Sequence, residues 1–123
     1  MARTSPKHFA QFKRSVNKWL AIFGLVSWEV VCLHKELQEP RLAECGVDPS
    51  SNLADVTLGT DWGDLPRTAK CMDQTACHEV LHILLAKLTT IAGERWVTER
   101  ELENEEHAVI RALLQFLFPK LKA

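Results

Sequence analysis

His78-Glu79-Val80-Leu81-His82 sets two imidazoles four residues apart with a carboxylate beside the first. On a helix, residues four apart lie one turn apart on the same face, so both rings reach a single divalent cation. Glu79 falls next to that face, where it touches a water on the metal without taking a ligand position. Zinc lowers the pKa of such a water, and the glutamate accepts its proton as the water attacks a carbonyl. His78 and His82 are therefore the candidate zinc ligands and Glu79 the candidate general base. The alternative is a helix with two incidental histidines, but two imidazoles on an otherwise apolar helix are costly to bury without partners.

The elements that would position these groups are legible in the hydrophobic pattern. Phe9, Phe12, Val16, Trp19, Leu20 and Phe23 recur at steps of three and four and predict a helix over 6–23, with Ser5-Pro6 as its start and Gly24 as its stop. Three strand candidates follow over 28–34, 42–47 and 53–58. Pro40 separates the first two, and the run from Asp48 to Asn52 reads as a turn between the last two. The short links predict an antiparallel meander. A Gly- and Asp-rich loop over 59–65 leads into a long helix over 66–91 that carries the motif and stops at Gly93. Thr98 and Glu101 form a capping-box pattern for a last helix that ends near Phe118, before Pro119. The expected fold is one α+β domain over 1–123: a helix, a three-stranded antiparallel sheet, the motif helix and a C-terminal helix.

A catalytic zinc takes a third protein ligand. Three and six residues after His82 stand Leu85 and Leu88, which excludes the Gly and His of the metzincin extension. The ligand should then come from the last helix. His82 lies about 14 Å along its helix from the end near Ile91, and Glu105 or Glu106 lies about 11–12 Å beyond Thr98, so an antiparallel return brings them level. A stripe of Leu102, Val109, Leu113 and Phe116 or Leu117 would enclose Glu106 and leave Glu105 at its edge. A carboxylate inside an apolar stripe is expensive unless a cation pairs with it, which favours Glu106, with Glu105 as the alternative. Should both face solvent, His107 or water would complete the site.

The rest of the composition bounds the function classes. Fifteen basic against sixteen acidic residues, a net charge of −1, carry no electrostatic footprint for nucleic acid. Lys7, Lys13, Arg14 and Lys18 read as a solvated helix face. The apolar stretch from Trp19 to Trp28 is too short to span a bilayer and has no small-residue cleavage site after it. Cys32, Cys45, Cys71 and Cys77 form no C-x-x-C pair and read as reduced, partly buried thiols in a cytoplasmic protein. Trp62 and Trp96, near predicted loops, are the aromatic candidates for surface contact.

The HEVLH motif, the downstream ENEEHAVIRAL segment and the order helix, three strands, helix, helix resemble the smallest gluzincin-type zinc peptidases and the short zincin-like proteins of phages and other prokaryotic sources. SWEVV, RLAECGVD, LADVTLG and ACHEVLH follow one another as in such minimal zincins. The resemblance implies zinc on His78 and His82, Glu79 as general base, a glutamate of ENEEH as third ligand, and a peptide or protein as substrate. It also implies that the third strand, 53–60, is the sheet edge beside the cleft, where a peptide adds as a further strand. Larger gluzincins stabilise the oxyanion with a Tyr or His. This chain has no Tyr, which leaves His107, Arg111 and His34 as candidates. The second expectation is a zinc-stabilised structural or interaction protein on the same scaffold, since metal binding in a small domain contributes directly to folding.

Overall fold

The computed structural model describes residues 2–38 and 41–119; Pro40, the expected separator of two strands, lies outside them. In chain order the elements are β1 (Ala2–Arg3), α1 (Pro6–Ile22), β2 (Glu29–Lys35), β3 (Ala43–Asp48), β4 (Leu53–Gly59), β5 (Asp61–Gly63), α2 (Ala69–Ala92) and α3 (Glu99–Leu117). The class is α+β, as the pattern predicts.

Each helix starts where its local chemistry directs. The Ser5 hydroxyl accepts from the His8 backbone N–H, and the His8 ring accepts from the Ser5 N–H, which closes a capping box ahead of Pro6. Gly24 follows at φ +70°, in the left-handed region that favours glycine. Thr68 caps α2 by accepting from the Cys71 N–H at 3.2 Å. Thr98 caps α3 by accepting from the Glu101 N–H at 3.1 Å. The Glu101 carboxylate accepts from the Thr98 hydroxyl at 3.1 Å, the side-chain half of the expected capping box being replaced by this contact.

The main sheet has the order β2-β4-β3, with β4 parallel to β2 and antiparallel to β3. The expected antiparallel meander is thus corrected: β3 and β4 form the antiparallel hairpin, but β4 inserts between β2 and β3. The link 36–42 only has to cross two strand spacings, about 10 Å. The central place goes to the strand with most to bury. Ala54, Val56, Thr57 and Leu58 of β4 are all buried, whereas Glu29 and Lys35 of β2 and Asp48 of β3 are exposed, as suits edges. A second, two-stranded pairing joins β1 to β5, extended by the Thr4 N–H donating to the Thr60 carbonyl at 2.9 Å. It turns the expected loop over 59–65 into a tether for the N-terminal segment.

Helices cover one face of the sheet. Phe12, Val16, Leu20 and Phe23 of α1 and its cap, Ala54, Val56 and Leu58 of β4, and Met72, Ala76, Val80 and Ile83 of α2 make a continuous core. Trp62, expected near the surface, is buried there, its indole N–H donating to the Leu42 carbonyl at 3.0 Å; Trp96 is 83% exposed. Asp73 locks α2 to α1. It accepts from Lys18 Nζ at 2.7 Å and from the Trp19 indole N–H at 3.0 Å. Lys7, Lys13, Arg14 and Lys18 are exposed, as a solvated face requires. Among the described residues no helix is long and apolar enough to cross a membrane. The four thiols are half-buried and unpaired. Cys32 and Cys45 flank Val56 in one row of the sheet, two strand spacings apart, too far for a bridge.

Candidate metal centre

Helix α2 does with the motif what its period dictates. The rings of His78 and His82 stand 5.0 Å apart between centroids, inclined at 74°, and both residues are exposed. Glu79, one step round the helix, turns inward and is only 5% exposed. Its Oε2 lies 3.9 Å from His78 Nε2. Two imidazoles thus face solvent one turn apart with one carboxylate held beneath them, and the burial cost expected to speak against incidental histidines does not arise.

The electrostatics follow from that burial. Desolvation pushes the Glu79 carboxyl above the ordinary carboxylate range; His78 and His82 pull it down, and Glu44 on β3 pushes it up again. The same packing acts on Cys45, whose thiol is pushed up to about 12 by burial, then by Glu79 and Asp55. A cleft of about 380 Å³ opens between α2 and the entry to β3, with Arg41, Leu42 and Ala43 on one wall and Gln74, Thr75, His78 and Glu79 on the other. The sheet edge beside the motif is therefore β3. The strand that the resemblance implied for this place, β4, is central and has no free edge.

Helix α3 is turned by about one residue from the expected phase. Its inward positions are Leu102, Glu105, Val109 and Ala112, with Gln115 half-buried and Phe116 reaching the rings of Trp19 and Phe23 at 5.6 and 5.8 Å. Leu113 and Leu117 face outward. A small side chain at Ala112 lets the helix lie close, and close approach decides the phase in favour of the small residue. Glu105 consequently occupies the inward position that the stripe assigned to Glu106, and Glu106 is exposed.

Two of three ligands thus fit a divalent cation. The exposed imidazole pair is open to one, while among the described residues no three His, Cys, Asp or Glu side chains are gathered closely enough to hold it.

The oxyanion candidates lie elsewhere. His107 is exposed, its Nδ1 2.8 Å from the Glu103 carbonyl of its own helix, and Arg111 is exposed on α3. His34 serves the fold. Its Nε2 lies 2.8 Å from the Thr4 hydroxyl, which itself donates to the Gly59 carbonyl, and its ring stacks on Phe9 at 5.1 Å. The cation that does line the cleft is Arg41, which the sequence pattern did not single out; its only signal is its place directly before a strand. Comparison with protein-family models, curated proteins and solved structures finds no match to this chain.

Proposed function

We propose that this chain is a zinc-dependent peptidase acting on peptide or protein substrates in the cleft between α2 and the open edge of β3. One observation carries the reading: a buried carboxylate, Glu79, is held 3.9 Å from the first of two exposed imidazoles spaced one helical turn apart. A carboxylate that is costly to bury and raised in pKa is suited to take and return a proton. His78 and His82 would hold the ion, with Glu105, or Glu106, as the third ligand. Zinc, when bound, would polarise the scissile carbonyl and acidify a water. Glu79 would accept the proton of the attacking water and pass it to the leaving amine. The backbone of β3 offers an edge on which an extended peptide lies. Four unpaired thiols suit a reducing compartment, the cytoplasm.

Glu79→Gln tests the reading. Zinc content and fold should persist, and turnover should fall at least about 100-fold, the usual worth of a general base. Full activity in this variant would overturn it. A second reading, zinc held for stability on a scaffold without turnover, is favoured by the placement of His107 and Arg111 away from the cleft wall. It predicts that Glu79→Gln changes nothing but stability, and that chelation unfolds the chain.

A further inference from the structure

The geometry points to the outward face of α3 as the place where two copies of this chain pair, their α3 helices antiparallel about a twofold axis. Ile110, Leu113, Leu114 and Leu117 carry that face. The three leucines follow Ile110 by three, four and seven residues and so complete one stripe of the helix. The four side chains are between 38% and 61% exposed. The helix turns other residues, Leu102, Glu105, Val109 and Ala112, toward its own core. Phe118 at the helix end adds an exposed ring. Large apolar side chains scattered singly over a surface are ordinary, whereas a contiguous stripe of them marks an interface.

The shape and charge of the stripe select its occupant. Its spacing reads the same in both directions about a point between Leu113 and Leu114. An antiparallel helix crossing there sets Ile110 against Leu117 and Leu113 against Leu114, and the twofold repeats both contacts, as a self-complementary interface requires. One and two heptads earlier the same face carries Glu106, Glu103 and Glu99, all exposed. A parallel pair would lay these carboxylates against their own counterparts. A pair shifted toward the N-terminus would lay them on leucines. Repulsion disfavours the first and desolvation the second. With the crossing between Leu113 and Leu114, each acidic half instead runs past Leu117 of the other copy. The area suits a weak dimer. The stripe and Phe118 leave on the order of 400 Å² of apolar surface open on each copy, so two copies with their flanking residues would bury about 1,000 Å², the lower bound for a specific interface.

Sedimentation velocity on the wild-type chain over about 1–500 μM, a range that brackets weak specific association, tests the pairing. It is run once with zinc and once with a chelator. Monomer should give way to dimer as concentration rises, in both conditions. Leu114→Glu and Leu117→Glu each place a charge at an exposed position, so circular dichroism should report unchanged helix content. Each should weaken association at least about tenfold. Should either lose its helix content, the wild-type series and a crosslink decide without it. The crosslink uses photoreactive benzoylphenylalanine at Leu117 in a mixture of isotopically light and heavy chains. Crosslinks between light and heavy chains should fall near Ile110. Crosslinks from position 117 to its own counterpart mean a parallel pair and overturn the inference. A monomer at every concentration also overturns it and leaves the stripe to a different partner. So does a dimer that forms with zinc alone, which assigns the pairing to the imidazoles, or one that both glutamate variants preserve.

Discussion

Glu79 is the residue on which the proposed function and stability oppose each other. Burying a carboxylate without a cation at hand costs free energy, and its pKa rises accordingly. With the folded value above the unfolded one, the folded chain binds the proton more tightly. Its stability is therefore complete below the ordinary carboxylate value and declines as pH rises through the folded one. Glu79→Gln in metal-free protein should thus be more stable than wild type at neutral pH by about 1–2 kcal/mol, and the two should converge near pH 4; urea titrations at the two pH values measure this. Equal stability at neutral pH would show that the carboxylate bears no desolvation cost. The motif was legible because the geometry of its two imidazoles depends on a spacing of four within one helix. Arg41 was not, since an arginine before a strand has no local signature and gains its meaning only when β3 is laid beside α2.

At the level of elements, the helices were readable almost to their ends. Caps at Ser5 and Thr98 and stops at Gly24 and Gly93 are local events, whereas α2 begins at Ala69 behind Thr68, three residues after its expected start at 66. Strand order was not, because a short link constrains direction and leaves the choice of neighbour to burial, which gave β4 the centre. The phase of α3 slipped by one residue because apolar side chains occur all round its second half; Leu113, Leu114 and Leu117 compete with Val109 and Ala112 for the inward face. That phase makes a prediction. Glu105→Gln should lower zinc affinity about 10–100-fold and Glu106→Gln much less; competition with a fluorescent chelator reads both, and the opposite order would restore the expected stripe. The contact between α1 and α2 makes another. Asp73 is held below the usual carboxylate range: burial opposes this, and hydrogen bonds from Lys18, Trp19 and Ser15 outweigh it. Asp73→Ala leaves the Trp19 N–H without its acceptor and should cost about 1–2 kcal/mol at neutral pH. With the folded pKa depressed, the stability that Asp73 supplies is present above the ordinary value and is lost as pH falls through the folded one. Equal denaturation midpoints at neutral pH would contradict the lock.

For the whole molecule, the architecture sets the imidazole pair on the surface of a scaffold whose core is built from other residues. The core runs through α1, β4 and α2, and the imidazole pair lies outside it. Zinc should therefore add to stability by mass action instead of nucleating the fold: about 2.7 kcal/mol when free zinc stands 100-fold above its Kd. Thermal melts with and without chelator check this, and unfolding on chelation would favour the purely structural reading. The most direct measurement is the zinc content of the purified chain by mass spectrometry of the metal, beside His78→Ala and His82→Ala. One zinc per wild-type chain and a large loss in each variant is the predicted result; a metal content that neither substitution alters would contradict the account.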